Sequence, residues 1–378
     1  MLKAPRVLID ATAIPRDRGG VGRYVDGIVD ALVDSGTDVI VACQPGDLSF
    51  FESRGVAAVA GPSGIRRAPF RLLWEQIGLP RLARKLMVDV VHSPHYTFPL
   101  LLGMPRVVTV HDLTFFTLPG LHSPLKRVFF RWWIRAASRL RITVIADSQA
   151  TATDFVRIAG ASPERITVSH LGYDEELFHS PDAASVERLR AAIPDLPDSW
   201  IAFLGTLEPR KNIVALIDGY RAATKDTTSP APALLLAGGT GWDQGVDPAI
   251  AAARAEGADV RKVGYLPLET LSAFLGGSIV FAYPSLGEGF GLPVLEAMAA
   301  GACVMTTDRL SLPEVGGDAV AYTGVSSAEI ATSLSALLAD PQRRSSLSVA
   351  ALDRARAFTW ASAAIRHTAA YSKAVKHG

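Results

Sequence analysis

Two cysteines stand in 378 residues, Cys43 and Cys303. So few thiols build neither a disulfide framework nor a thiolate zinc site, and they fit a reducing compartment. Long apolar runs are also missing. Apolar residues make up 49% of the chain, but Pro, Gly or a charge breaks every stretch, so no membrane span is expected. The N-terminal MLKAPRVLIDATAI meets Arg6 and Asp10 too early for a secretory leader, and the expected location is cytoplasmic. No sign of charge dominates: the net charge is +1, which argues against a nucleic-acid partner. There is no Asp-x-Asp triplet and no His, Asp or Glu cluster at metal-ligand spacing, so neither a metal nor a resident cofactor is expected. Short repeats and low-complexity segments are absent too.

What the chain does contain is alternation. Short β-branched runs lie at 6–10, 38–43, 89–93, 106–112, 142–147 and 165–170. After Pro194 and Pro197 they resume at 200–205, 233–239, 259–266, 278–285, 302–307 and 319–323. Helical patterns fill the gaps, among them 21–36 and 268–277. Continuously apolar strands suit a parallel sheet covered on both faces, and strand–helix alternation implies right-handed crossovers. The expected fold is α/β: two facing Rossmann-like domains with a central cleft and a helical C-terminal tail. The expected boundaries are 1–185, 186–358 and a last helix, 359–378, returning to the N-terminal domain. Open α/β sheets bind ligands at the carboxyl ends of their strands, so the loops there are the places to search.

One such loop carries two carboxylates. From Gly289 to Thr307 only Glu296 is charged, and Glu288 precedes it by eight positions. GEGF follows a strand, and GLPVLEAMAAG reads as a helix opened by Pro293 and stopped by Gly301. Gly289 and Gly291 allow close backbone approach beside a helix N-terminus, an anion site. Glu296, one turn inside among apolar neighbours, matches a ribose diol, while Glu288 can reach a polyol bound next to the phosphate. The rival account is a buried ion pair for Glu296 and a helix cap for Glu288.

The residues themselves go further. EGFGLPVLEAMAAG resembles the E-x7-E signature of the retaining GT-B glycosyltransferases of family 4. GTLEPRKNI (205–213), VHSPHY (91–96), TVHDLTFF (109–116), IADSQAT (145–151), SLPEVGGDAVAYT (311–323) and RGGVGRYV (18–25) resemble other parts of that family, in order and over nearly the whole chain. The resemblance implies that Glu296 holds the nucleotide ribose and that Glu288 touches the donor sugar. It implies that Phe290, Gly291 and Leu292 line sugar and phosphate by their amides. Arg210 and Lys211, at the start of a helix, would meet the leaving diphosphate. Thr206 stands where many relatives carry an Arg, which shifts the phosphate role to Arg210. GTLEPRKN is similar to the variant found in bacterial mannosyltransferases of polysaccharide assembly.

In the N-terminal half, Gly19 and Gly20 would approach the diphosphate. RGGVGRYV fails as a dinucleotide fingerprint, lacking a third glycine after Gly22. The resemblance places His111 against the donor sugar, in a positioning role. His92, His95 and Tyr96 are candidates for the acceptor, and Gly264, Tyr265 and Leu266 for the base. Residues 60–141 hold thirteen Lys/Arg against three acids. Within them KRVFFRWWIRAASRLR (126–141) reads either as a basic aromatic helix for an anionic membrane or as a core-packed helix with a solvated face. The expected function is retaining transfer of a sugar, mannose first, from a nucleotide diphosphate sugar to a glycan or lipid-linked hydroxyl. A non-catalytic nucleotide-sugar binder and a nicotinamide dehydrogenase are the alternatives.

Overall fold

The computed structural model describes residues 5–14, 18–225 and 230–377. The chain forms two compact units, one running to Gly172 and rejoined by residues from Thr359 on, the other spanning Tyr173–Phe358.

The first unit is built on a seven-stranded parallel sheet. Its strands are β1 (Val7–Asp10), β2 (Val39–Cys43), β3 (Ala57–Ala60), β4 (Val90–Ser93), β5 (Arg106–Val110), β6 (Thr143–Ala146) and β7 (Ile166–Val168), in the order β3-β2-β1-β4-β5-β6-β7. Strands β1, β4 and β6 are buried throughout, as continuous apolar runs demand. The order reverses between β1 and β4.

The second unit holds a six-stranded parallel sheet. Its strands are β8 (Trp200–Leu204), β9 (Ala233–Ala237), β10 (Val260–Gly264), β11 (Val280–Tyr283), β12 (Val304–Thr307) and β13 (Ala321–Thr323), in the order β10-β9-β8-β11-β12-β13. Here the reversal falls between β8 and β11. Helices Ser327–Ala339, Pro341–Ala355 and Trp360–His377 complete the chain. The twelve expected strands are all present. The expected 185/186 boundary is corrected to 172/173. The reason is that residues 179–181 already belong to the second unit: the backbone N–H of His179 donates to Ser272 Oγ at 3.2 Å, and Pro181 packs against Gly276.

The final helix lies on the first unit. Its buried residues Ala363, Ala364, His367, Ala370, Tyr371 and Ala374 recur at helical spacing. Gly27 makes room for it, since a Cβ there would come within 2.2 Å of the Trp360 ring. Beneath it runs a buried hydrogen-bond chain with a fixed direction. His367 Nδ1 sits 2.8 Å from the Ala363 carbonyl, so it donates there and Nε2 must accept. Nε2 therefore takes the Tyr24 hydroxyl proton at 2.8 Å. Tyr24 Oη pairs with Thr109 Oγ1, Thr109 with His92 Nε2, and His92 Nδ1 with the Tyr371 hydroxyl, at 2.8, 2.8 and 3.0 Å. Burial holds the His367 imidazole down, to about 4, so the chain stays neutral and pairs donors with acceptors throughout. His92 is thus a core histidine, 0% exposed, and not a residue that lines an acceptor pocket.

Candidate active site

The second unit's reversal point brings two loops together. One leaves β8, passes Gly205 and Thr206, and makes a short turn at Pro209–Lys211 before helix Ile213–Thr224. The other leaves β11 and enters helix Leu292–Ala299. Asn212 (φ +59°) turns the first loop into its helix, and its side-chain amide donates to the Val325 carbonyl at 2.8 Å. Gly291 opens the second helix at φ +102°, where a Cβ would meet Leu312 Cδ2 at 2.7 Å. The positive φ favours glycine there.

Glu288 is the meeting point of the two loops. Arg210 donates to Glu288 Oε2 at 2.5 Å, and Lys211 Nζ donates to Oε1 at 2.8 Å. Ser285 Oγ and Tyr283 Oη donate to the same Oε1 at 2.6 and 3.1 Å. Lys211 also donates to Tyr283 Oη, and Arg210 donates to the Gly287 carbonyl and to Glu208 at 2.8 and 2.6 Å. Burial alone would raise the Glu288 carboxyl. Arg210, Lys211 and the Lys211 and Ser285 hydrogen bonds outweigh it and hold the group at about 2. Burial, reinforced by Arg210, lowers the Lys211 ammonium despite its pairing with Glu288. The result is a fixed array of two cations and an ionised carboxylate beside a helix N-terminus. Ser311 Oγ locks the loop by bonding to the carbonyls of Glu288 and Phe290, both at 2.9 Å.

The remaining donor-side candidates fall around the same strand ends. Glu296 is 2% exposed, one turn inside helix Leu292–Ala299. Phe290 and Leu292 are buried and Gly289 is half-buried. Thr206 is exposed beside Gly239. Leu266 is buried while Tyr265 before it is 71% exposed. The structure adds Tyr283, Ser285 and Glu208 to the cluster, and the sequence signalled them only by their places at strand ends.

In the first unit, Gly19 and Gly20 open helix Gly20–Asp34 with space on their side-chain faces. The three residues at 15–17 before them lie outside the described residues. His111 Nδ1 is 2.7 Å from Asp147 Oδ2, and its Nε2 is 2.9 Å from the Pro94 carbonyl. Burial would lower this imidazole, but Asp147 and the Pro94 carbonyl raise it. Both ring nitrogens face acceptors, so His111 is a held donor rather than an open base. Asp147, its partner, was not read from the sequence. Tyr96 adopts φ +50°, and its hydroxyl accepts the Asp112 amide at 3.0 Å. His95 turns inward, 9% exposed. The fold also brings together three residues that show no ligand spacing in the sequence: Asp10, Glu75 and His95 are buried with ligand atoms within 4.8 Å of one another.

With this geometry in view, the family descriptions fall on the two halves of the chain in order. Glycosyltransferase Family 4 matches residues 18–177, and Glycosyl transferases group 1 matches residues 188–354. The chain belongs to the family 4, group 1 glycosyltransferases. This glycosyltransferase is 27% identical to the O-antigen chain mannosyltransferase B of Escherichia coli, over 78% of either chain. It is 29% identical to a D-inositol 3-phosphate glycosyltransferase of Corynebacterium aurimucosum, over 95% of this chain and 92% of that one. A protein of Anabaena, HepE, crystallised with UDP and glucose, shares the fold at a TM-score of 0.75 and 20% identity, covering 97% of this chain and 99% of its own. The two parallel-sheet units and the last helix are those of a GT-B glycosyltransferase.

Proposed function

We propose that this glycosyltransferase moves a mannosyl group from GDP-mannose to a hydroxyl of a glycan or lipid-linked acceptor, with retention at the anomeric carbon. The observation that carries the reading is the buried Glu288 ion-paired to both Arg210 and Lys211 at the carboxyl ends of β8 and β11. Such an array suits a nucleotide diphosphate sugar. The Leu292 amide at the start of helix Leu292–Ala299 and the two cations take the diphosphate, Glu288 takes the sugar, and Glu296 takes the ribose. As the bond from C1 to the phosphate oxygen breaks, charge grows on the diphosphate, where fixed cations stabilise it most. The acceptor oxygen bonds to C1 on the same face and its proton passes to the departing phosphate. No separate base is needed, and Arg210 and Lys211 supply the charge that a metal would otherwise bring. The mannosyl assignment is supported by likeness to the O-antigen mannosyltransferase. Among GDP-, UDP-, dTDP- and ADP-sugars, GDP-mannose is expected to raise the unfolding temperature most, by mass action. A larger rise with another base or sugar would replace the donor assignment.

The acceptor's setting is proposed to be an anionic membrane surface in the cytoplasm. Among the described residues no helix is long and apolar enough to cross a membrane. Helix Pro124–Arg139 buries Trp133, Ile134 and Ala137 yet leaves Leu125, Val128 and Trp132 exposed at 80%, 66% and 51%. These three lie on one face at i, i+3 and i+7, with the exposed Arg135 and Arg139 on the same side. Arg131 is committed elsewhere, donating to the Phe115 carbonyl at 2.8 Å. An exposed apolar stripe edged by cations fits a headgroup region, with roughly 1 kcal/mol per cation screened by salt. Pelleting with phosphatidylglycerol vesicles should fall with salt and fall again when Val128 and Trp132 become Ser. Equal pelleting of the variant would leave the helix as scaffold.

A further inference from the structure

A second cluster of titratable side chains, the buried trio Asp10, Glu75 and His95, lies in the first unit. Asp10 closes β1, and His95 lies two residues beyond β4, on either side of the reversal point of that sheet. Glu75 reaches them from helix Ala68–Lys85. Asp10 is 0% exposed. Its Oδ1 accepts the Thr12 amide at 3.0 Å and the Thr12 hydroxyl at 2.6 Å, which fixes the carboxylate. Its Oδ2 is buried and has no hydrogen-bond partner.

The tautomer of His95 follows from its neighbours. Thr97 Oγ1 donates its single proton to Glu75 Oε2 at 2.7 Å. At 3.2 Å from His95 Nδ1, that oxygen can only accept, so Nδ1 carries the proton and Nε2 is a lone pair. Nε2 is also buried without a partner, 3.7 Å from Asp10 Oδ2. Two electron pairs therefore face each other in the interior with no donor between them, an arrangement that costs free energy unless something electrophilic fills it.

Glu75 stands on the third side. Arg71 and Thr97 both donate to its Oε2, at 2.9 and 2.7 Å, while Oε1 accepts only from Gln76, at 3.0 Å, and keeps a second lone pair. Arg71 lies on the helix side and balances one carboxylate of the two.

We propose that Asp10 Oδ2, His95 Nε2 and a Glu75 oxygen bind one divalent cation of the zinc–manganese class, which ties the ends of β1 and β4 to helix Ala68–Lys85. One imidazole and two carboxylates make a borderline nitrogen–oxygen donor set. Three protein ligands leave a position for water or a hydroxyl oxygen. The bond from His95 Nδ1–H to Thr97, itself bonded to Glu75, is the outer hydrogen bond that orients a ligating imidazole.

The test uses the full chain, purified without a metal-affinity tag, exposed to excess Zn²⁺, Mn²⁺ or Co²⁺ and desalted. Elemental analysis should find about one ion per chain, and the Co²⁺ form should show visible d–d absorption that Zn²⁺ abolishes. Asp10→Asn and His95→Gln should each lower retention at least tenfold. Removing the ion with dipicolinate should lower the unfolding temperature, and Zn²⁺ should restore it. A wild-type chain that retains none of the three ions overturns the proposal, as do variants that retain them equally. If a variant fails to fold, the wild-type cobalt spectrum decides alone.

Discussion

Glu288→Gln is expected to lower turnover by about 10²- to 10³-fold, the scale of removing one preorganised electrostatic partner from a transition state, without weakening nucleoside diphosphate binding. The asymmetry follows from the geometry. Glu288 accepts from Arg210, Lys211, Ser285 and Tyr283, so it sets where both cations point. A neutral amide in its place leaves those cations stronger toward a diphosphate but loses their alignment and the oxygen proposed to meet the sugar. Breaking a buried ion pair costs about 3–5 kcal/mol, so the variant's unfolding temperature must be recorded beside its kinetics. The carboxyl is held at about 2 against an ordinary 4.5. Its contribution to stability is therefore complete above roughly pH 4.5 and is lost as pH falls toward 2. It stays ionised across the whole working range, so no acid limb of activity near neutral pH belongs to it. A kcat within a few-fold of wild type, in a folded variant, would remove Glu288 from the transition state.

Lys211→Met is the second large effect. Lys211 is 7% exposed, and its Nζ holds Glu288 and Tyr283 Oη. Unlike Glu288, it is assigned to the diphosphate in the ground state as well. Affinity for nucleoside diphosphate should therefore drop by about 10- to 100-fold, the worth of a hydrogen bond to a charged group. Turnover should fall by a further factor of about 10² to 10³ as leaving-group charge grows unopposed. Arg210→Met should act in the same direction. If Lys211→Met binds nucleotide like wild type and loses only stability, its role is to neutralise Glu288 and no more.

Much of this was legible in the sequence, for physical reasons. Most of the strands could be read because parallel strands buried on both faces are apolar without interruption; β7, β10 and β13 are only partly buried and were legible from their place in the strand–helix alternation. β3 could not, because its Ala57–Ala60 run is partly exposed along its length and too small-chained to stand out. The 172/173 boundary was hidden because residues 173–185 carry no strand and only their contacts with Ser272 and Gly276 assign them. Glu288, Arg210 and Lys211 could be placed at strand ends, and strand ends on either side of a reversal point meet. Tyr283 and Ser285, which complete the cluster, look like ordinary strand-end residues. Asp10, Glu75 and His95 lie far apart in the chain and show no ligand spacing, and only the pairing of β1 with β4 brings them together. His92 reads like His95 in VHSPHY, yet one is a core hydrogen-bonder and the other faces Asp10, because His92 lies within β4 and His95 lies two residues past its end.

The most direct measurement is the anomeric configuration of the product. GDP-mannose, an α-linked donor, is incubated with enzyme and a mannoside acceptor without added divalent ions, and the new linkage is read from the NMR signals of its anomeric proton and carbon. An α-linked product, formed at a rate that added Mg²⁺ or Mn²⁺ does not raise, is the predicted result. It would mean that the leaving phosphate, braced by Arg210 and Lys211, takes the acceptor's proton on one face. A β-linked product would mean that a side-chain base acts from the opposite face. A rate that depends on the added ion would mean that the cationic loop is not the main stabiliser of the leaving group.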